Sequence, residues 1–227
     1  MAYRRTPAID RRLADDRERL LAAASARVAS DGWAALTISE VARDAGMATG
    51  RVYTHVAGKD ELCTEVFRRA ADRELARVAA AAGVGVDDHG DPVPTSDRLT
   101  AALRTFAARA LAGRRLAYAL LAEPAGQAVE AERLRYRAGY HELFAAVLHE
   151  GLARDDLAPC RVDVVAAALI GAAGEALVGP LAPAATTDDD TEVVEALLAC
   201  CQRMLPMTVP GSAAPATATS MPVPAAT

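Results

Sequence analysis

Apolar residues recur along most of this chain at intervals of three and four positions, which is the spacing of amphipathic α-helices. In the first such segment Leu20, Ala24 and Val28 lie on one stripe, and charged residues lie on another. Gly32 is expected to end that segment, because glycine adopts the backbone conformations that terminate helices. Along the whole chain the pattern predicts about nine helices, over residues 10–30, 38–45, 48–55, 59–82, 97–112, 114–121, 127–152, 161–181 and 190–205.

The segment 127–152 has the most regular pattern of the nine. Its apolar positions repeat at helical spacing over about five turns. We therefore expect one long helix with Leu134, Ala138, His141, Ala145, Leu148 and Leu152 on one apolar stripe and Tyr136, Tyr140, Leu143 and Val147 beside it.

Side chains that cap helices mark three of the expected helix beginnings. Thr37 and Glu40 have the spacing of a capping box, in which the hydroxyl accepts from the amide three residues on and the glutamate reaches back. A helix is therefore expected to begin directly after Thr37. Asp189 and Glu192 have the same spacing before the last helix, and Ser96 is expected to cap the fifth.

The second and third predicted helices are short and are separated by a tight turn. Gly46 supplies the backbone freedom for that turn, and the small Ala42 lies where the two helices cross. Val52, six residues after the glycine, is expected to point inward. This arrangement is typical of a helix-turn-helix, whose second helix enters the major groove of DNA.

The composition agrees with an all-α fold. Alanine is abundant and aromatic residues make up only 4% of the chain, whereas strands favour aromatic and β-branched residues. We expect an N-terminal arm and DNA-binding domain over residues 1–58 and a larger helical domain for effector binding and dimerisation over 59–205. Residues 206–227 are rich in Pro, Ala, Thr and Ser and are predicted to be a disordered tail.

The formal net charge of −5, taken over the whole chain, opposes DNA binding. The charge is unevenly distributed, however, with a net of +2 over residues 1–60 and −7 over residues 61–227. The chain therefore joins a mildly basic module to an acidic helical body.

Outward side chains of the third helix are candidates for reading bases. Thr49, Arg51 and Thr54 are expected to face outward, and a guanidinium can pair with O6 and N7 of guanine. We expect the N-terminal arm to contact the phosphate backbone or the minor groove of the DNA through Arg4, Arg5, Arg11 and Arg12. Arg51 and Lys59 could instead be ordinary solvated charges, and Tyr53 a core aromatic. Together with the groups expected to contact phosphates, the candidate DNA-binding residues are Thr37, Thr49, Gly50, Arg51, Tyr53, Thr54, His55 and Lys59.

The segment from Thr37 to Leu62, TISEVARDAGMATGRVYTHVAGKDEL, resembles the DNA-binding signature of TetR-family transcriptional regulators. The resemblance covers roughly residues 17–62. It implies a homodimer that binds a palindromic operator on double-stranded DNA, usually as a repressor, and releases it when a small-molecule effector binds the C-terminal domain. The sequence departs from the family pattern at Ala48, at His55 and at Val56-Ala57-Gly58.

The eighth and ninth predicted helices are candidates for the dimer interface. Small residues occupy nearly every face of 166–177, so another helix can approach closely. We expect the 161–181 and 190–205 helices to form half of a four-helix interface across a two-fold axis. The alternative is that the eighth helix is the core of the monomer. A membrane span is not expected, because Glu175, Pro180 and Pro183 interrupt the apolar run.

A few aromatic or polar residues lie on otherwise apolar helices of the larger domain. A cavity with a few convergent polar groups is what a small-molecule site requires. Each residue could instead belong to the core or, for Glu175, to an interface ion pair. The candidate ligand-binding residues are Phe106, Tyr118, Tyr136, Tyr140, His141, Phe144 and Glu175.

Two other classes of function remain as alternatives. An all-helical enzyme is disfavoured because the sequence has no HExxH, GxSxG, P-loop or GxGxxG motif. A thiol-based redox regulator would use Cys63, Cys160, Cys200 or Cys201. These cysteines lack the CxxC spacing of zinc sites, so we expect no metal and no cofactor. No secretory signal is recognised, so we expect a cytoplasmic protein.

Overall fold

The computed structural model describes residues 7–83, 85–87, 89–184 and 189–207. The described residues form nine α-helices and no strand, which confirms the predicted all-α class. Two isolated β-bridges, Val86 with Pro92 and Leu157 with Met207, join connecting segments. The helices are α1 (Pro7–Asp31), α2 (Ile38–Asp44), α3 (Thr49–Val52), α4 (Lys59–Ala82), α5 (Thr95–Ala112), α6 (Arg114–Leu121), α7 (Gln127–Ala153), α8 (Val162–Leu181) and α9 (Asp190–Met204).

Two of the three predicted caps are present. The Thr37 hydroxyl accepts from the amide of Glu40 at 3.3 Å and donates to the carboxylate of the same residue at 2.8 Å. The Asp189 carboxylate accepts from the amide of Thr191 at 2.8 Å. The predicted Ser96 cap is wrong, because α5 begins at Thr95 after Pro94, with no side-chain cap. Proline at that position has a fixed φ suited to a helix start.

A first hydrophobic cluster holds α1 to α4 together. Leu20 and Val28 from α1, Val41 from α2, Val52 from α3 and Phe67 from α4 are all buried in it. Gly46, between α2 and α3, has a φ of 64°, in the left-handed region that favours glycine. The cluster therefore packs the short α3 against the longer helices α1 and α4.

A second hydrophobic cluster is built from the later part of α4 and from α5, α7, α8 and α9. Its fully buried side chains include Leu99, Leu148, Leu169 and Leu177. Within the described residues, α8 has the length and composition of a membrane-crossing helix, a test that the core helices of soluble proteins also pass. Only 28% of its most apolar window is buried in the single chain.

The buried face of α7 differs from the predicted stripe. Leu134 is 66% exposed and Ala138 is exposed, while Val129, Tyr136 and Phe144 are buried. The reason is that α7 contacts α4, α5 and α8 at different levels along its length, so its buried face is not one continuous stripe.

Helix α4 belongs to both clusters. Its residues from Leu62 to Ala71 pack in the first cluster, and Val78 and Ala82 pack in the second. The two predicted domains thus share one continuous helix, and the boundary at residue 58 stays a prediction. Of the predicted tail, residues 208–227 lie outside the described residues.

Candidate nucleic-acid interface and ligand cavity

The candidate DNA-binding residues of α3 form one exposed surface. Thr49 and Gly50 are exposed at the start of the helix, and Tyr53 is 57% exposed directly after it. The Thr54 hydroxyl donates to the Arg51 carbonyl at 2.7 Å, which closes the last turn. Because Tyr53 is exposed, it is not part of the hydrophobic core, and its hydroxyl is accessible to a phosphate.

Arg51 points partly toward its own domain. Its Nε donates to Asp16 Oδ2 at 2.8 Å, and its Nη2 donates to the same oxygen. Asp16 is 4% exposed and also accepts from Arg19, so two guanidinium groups hold the pKa of this carboxyl below its usual range, Arg51 more strongly than Arg19. The Arg51 side chain remains 37% exposed. Because a guanidinium has five N–H donors, those that Asp16 does not use stay available to a base.

The residues expected to contact phosphates lie around this surface. The Thr37 hydroxyl is exposed although it also caps α2. Lys59 is exposed in the first turn of α4, where the helix dipole attracts an anion. His55 is half-buried, and its Nε2 is shielded from solvent without a hydrogen-bond partner among the described residues. A phosphate contact by His55 would therefore use the other ring nitrogen or a rotated side chain.

Of the arm arginines, Arg11 and Arg12 are exposed near the start of α1. Arg4 and Arg5 lie outside the described residues. The acidic residues of the first two helices are largely engaged in ion pairs, for example Glu18 with Arg69 and Asp44 with Arg27. This pairing reduces the repulsion that a phosphate backbone would otherwise meet.

Six of the seven candidate ligand-binding residues line one large cavity in the second domain. The cavity has a volume of about 1310 Å³ and lies among α4, α5, α6, α7 and α8. The residues brought together there are Phe106, Tyr136, Tyr140, His141, Phe144 and Glu175. Tyr118 is not in the cavity lining and packs against the second hydrophobic cluster instead.

Polar groups in the cavity wall are partly engaged with each other. The Tyr140 ring packs edge-on against Phe106 at 5.6 Å between centroids, and burial raises the pKa of its hydroxyl. The Nε and Nη2 of Arg109 donate to the carboxylate of Glu74 at 2.5 and 2.8 Å. His141 Nε2 lies 3.1 Å from the carbonyl oxygen of Asp163. These contacts hold the ring of Tyr140 and the imidazole of His141 in place.

Residues 20–66 match the model of the bacterial regulatory proteins of the tetR family. This match spans the second half of α1, all of α2 and α3, and the first third of α4. The N-terminal domain therefore resembles that of the tetR family of bacterial regulatory proteins. No curated protein sequence matches the chain.

Solved structures share the TetR-like fold over most of the chain, at identities too low to show more than the fold. FadR from Bacillus subtilis in complex with stearoyl-CoA has a TM-score of 0.68 and 15% identity, covering 81% of this chain and 96% of its own. The fatty acid degradation regulator FadR from Bacillus halodurans has a TM-score of 0.66 and 16% identity, covering 82% and 97%. A TetR/AcrR-family regulator from Thermobifida fusca has a TM-score of 0.60 and 21% identity, covering 83% and 97%.

The TetR-family domain is joined to the cavity by three aromatic rings. Trp33, between α1 and α2, stacks on Phe67 at 6.2 Å between centroids, and Phe67 lies 5.6 Å from Tyr136. Phe67 and Tyr136 both line the cavity. Burial and the nearby Asp72, whose carboxylate accepts from the Tyr136 hydroxyl, raise the pKa of Tyr136 to about 12. Any displacement of Phe67 by a ligand would thus reach the DNA-binding domain directly.

Helix α6 holds the other side of Trp33. The indole Nε1 donates to the carbonyl of Ala119 at 2.8 Å, and the Trp33 amide donates to Glu123 at 3.2 Å. The Arg115 guanidinium links Glu123 to the end of α1, because it donates to the Glu123 carboxylate at 2.8 Å and to the carbonyl of Asp31 at 2.8 Å. The segment after α1 is therefore fixed to the helix that lines one side of the cavity.

Sequence reasoning found Glu175 but missed the arginines of the cavity. Arg73 and Arg77 on α4 and Arg137 on α7 line it, although their spacing in the sequence is that of an ordinary solvated face. The local signal was weak, because only the packing of α4 against α7 brings these charges to one opening. The described residues contain no cluster of three or more side chains suited to hold a metal ion.

Proposed function

We propose that this protein is a ligand-responsive transcriptional regulator that represses its target by binding a palindromic operator as a homodimer. A small molecule in the cavity of the second domain releases it from the DNA. The observation that carries the proposal is that residues 20–66 match the TetR-family model and present Thr49, Gly50 and Tyr53 on one exposed surface. Such a protein works in the cytoplasm, where the DNA is.

Helix α8 supports the homodimer. Val164 is 56% exposed, and Ala168, Gly171, Glu175 and Gly179 continue its uncovered side at helical spacing, with Gly171 and Glu175 also lining the cavity. A Cβ added at either of these glycines meets no atom of this chain within 4 Å, so a partner helix has room to approach closely. A second copy of the same face, joined by α9, would bury this apolar surface across a two-fold axis. Half-sites separated by about one helical turn of DNA or more would match that symmetry.

The cavity and its aromatic contacts support release by a small molecule. The cavity is large, and its lining includes Phe67 and Tyr136, which contact the core of the DNA-binding domain. In FadR from Bacillus subtilis, which shares the fold, a small molecule is bound, namely stearoyl-CoA. A ligand that fits only the DNA-free arrangement of these rings would shift the protein to that state by its difference in affinity.

The proposal is tested by incubating the purified full-length protein with fragments of genomic DNA from around its own gene. We expect retention of a fragment that contains an inverted repeat, and we expect affinity to fall steeply with salt as bound phosphates release counterions. Sedimentation of the free and DNA-bound protein should give a dimer, and Ala168→Glu should give monomers that lose the fragment. Equal retention of genomic and random DNA would contradict the proposal.

The redox alternative is not favoured by the surroundings of three of the four cysteines, Cys200 being exposed. Burial raises the pKa of Cys63 and Cys160, and burial together with the neighbouring Cys200 raises that of Cys201 to about 11. A raised pKa lowers the thiolate population on which oxidation depends. Unchanged operator affinity after treatment with peroxide is the expected result.

A further inference from the structure

We propose that the cavity of the second domain binds an amphipathic anion, with a long apolar chain inside and a carboxylate or phosphate headgroup at Arg73, Arg77 and Arg137. This inference deepens the proposed function and rests on it in one respect, namely that the cavity is the effector site. Three observations support it. They are the size of the cavity, the absence of carboxylate partners for these three arginines, and the positive charge of the cavity wall.

The cavity is large enough and apolar enough for a chain. Its volume of about 1310 Å³ exceeds the roughly 300–1,000 Å³ of sites for drug-sized ligands. The interior wall consists mainly of aromatic, leucine and alanine side chains, among them Phe67, Phe106 and Phe144. An apolar chain buried there gains the transfer free energy of each methylene group removed from water.

Three of the five arginines that line the cavity, Arg73, Arg77 and Arg137, have no carboxylate partner among the described residues. Among the described residues most arginines pair with a carboxylate, as Arg109 does with Glu74 and Arg133 with Glu130. Those without a hydrogen bond or ion pair to a described residue are Arg11, Arg12, Arg73, Arg77, Arg137 and Arg203. Half of these six line the cavity, and two more lie near the start of α1 beside the DNA surface.

The charge of the cavity wall is opposite to that of its domain. Five arginines and two glutamates line the cavity, but Arg109 is paired with Glu74 and Arg133 with Glu130. The unpaired charges of the wall are therefore three arginines and Glu175, a net of +2, whereas residues 61–227 carry a net of −7. Glu74 is neutralised by Arg109, which leaves Glu175 as the one lining carboxylate without an ion pair in the described part of the chain. A positive wall in an acidic domain concentrates anions at that opening.

The three unpartnered arginines are placed to bind one headgroup. Arg73 and Arg77 lie one turn apart on α4, Arg137 lies on α7, and the two helices pack against each other. All three are exposed, so they lie where the cavity meets solvent, whereas Phe67, Leu103 and Phe144 in the same wall are buried. A guanidinium binds carboxylate and phosphate oxygens through paired N–H donors, which fixes the position of the headgroup as well as its charge.

The test compares four probes that share a sixteen-carbon chain, by calorimetric titration of the full-length protein below the concentration at which each probe forms micelles. The probes are hexadecanoate, hexadecyl phosphate, methyl hexadecanoate and hexadecyltrimethylammonium. We expect one or both anions to bind about tenfold or more tightly than the ester and the cation. The stronger of the two anions identifies the headgroup as carboxylate or phosphate. Equal binding of all four probes, or preference for the ester or the cation, would overturn the inference.

Matched variants locate the headgroup. The double variant Arg77→Gln/Arg137→Gln should lose this preference for anions, whereas Arg203→Gln, which removes an unpartnered arginine outside the cavity, should keep it. The charge-conserving variant Arg77→Lys/Arg137→Lys should also keep it, which separates loss of charge from misfolding. Glu175→Gln should strengthen binding of the anion. Anion binding that is insensitive to Arg77 and Arg137 would overturn the inference.

Adding operator DNA to the titration separates the two proposals. Release of DNA by a neutral or cationic molecule, with no release by either anion, would leave the proposed function intact and overturn this inference. Binding of the anion with the expected dependence on Arg77 and Arg137 but without release of DNA would support the ligand class and contradict the proposed switch.

Discussion

The guanidinium of Arg51, in the recognition helix, is held by the buried carboxylate of Asp16, in the first helix. Nε and one terminal nitrogen of Arg51 donate to Asp16 Oδ2, and the remaining N–H groups are not used by that contact. The pair therefore fixes the direction of the side chain expected to read a base. A positioned guanidinium loses less conformational entropy on binding than a free one.

Asp16→Asn should weaken discrimination between operator and random DNA, because the amide accepts more weakly from Arg51 and leaves it less well oriented. We expect a loss smaller than that caused by Arg51→Ala. Competition binding with operator and random DNA at one salt concentration measures the ratio of the two affinities. Asp15→Asn, an exposed neighbour, is the control, and unchanged discrimination in Asp16→Asn would contradict the positioning role.

Arg51→Ala and Lys59→Ala should separate base reading from phosphate binding. Loss of a guanine contact costs about 1–3 kcal/mol on the operator and little on random DNA. Loss of a phosphate contact weakens binding to both DNAs about equally and reduces the salt dependence by about one counterion. Equal losses on both DNAs for Arg51→Ala would show that this residue does not read a base.

Gly50→Ala should weaken DNA binding without weakening the fold. A Cβ at residue 50 meets no atom of this chain within 4 Å, so the protein itself does not require glycine there. Alanine should raise the free energy of unfolding by up to about 1 kcal/mol, since glycine is the more flexible in the unfolded chain. The added methyl group would instead meet DNA at the close approach of α3. Unchanged affinity for the operator would mean that α3 does not approach DNA through this residue.

Gly46→Ala provides the contrast to Gly50→Ala. Because Gly46 has a φ of 64°, alanine there should cost about 1–2 kcal/mol of stability. Denaturant unfolding of both variants, alongside DNA binding, distinguishes an effect on the turn from an effect on the interface.

Acid should weaken the DNA-binding domain in part through Asp16. Hydrogen bonds from Arg51 and Arg19 lower the pKa of this carboxyl in the folded state. Its contribution to stability is therefore complete above the ordinary carboxyl pKa of about 4 and is lost as the pH falls through the lowered pKa. Asp16→Asn, which cannot titrate, should show a smaller loss of stability between neutral and acidic pH. Identical pH profiles for the two proteins would exclude Asp16 as a source of the acid sensitivity.

Trp33→Phe should reduce the loss of operator affinity that the effector causes. The affinity for effector alone and for operator alone should change less. Phenylalanine keeps the stacking on Phe67 but loses the hydrogen bond from the indole to the Ala119 carbonyl, a contact worth about 1 kcal/mol. Comparison of operator affinity with and without effector measures the coupling. A variant that releases DNA as readily as the original protein would contradict a role for this contact in the switch.

Local sequence patterns predicted most of the helices well, and predicted the interior of the cavity in part. The bounds of α4 and α6 agree with the prediction, and α2 begins after Thr37 as its cap requires, because these features depend on neighbouring residues. The prediction for α7 was wrong along its first half, where Leu134 is exposed. Periodicity indicates that a helix has an apolar side but does not say which neighbour covers each turn.

The sequence by itself determined the all-helical class, the approximate positions of nine helices and the helix-turn-helix pattern, since all three follow from short-range spacing and capping. The third helix is the exception in length, because the predicted 48–55 is twice as long as the observed Thr49–Val52. Only the tertiary structure decided which charges are paired. It placed Asp16 against Arg51, 35 residues later in the chain, and left Arg73, Arg77 and Arg137 around one cavity. The physical reason is that an arginine on a helix surface has the same local pattern whether it faces solvent, a carboxylate or a ligand. Its partner is fixed by the packing of distant helices.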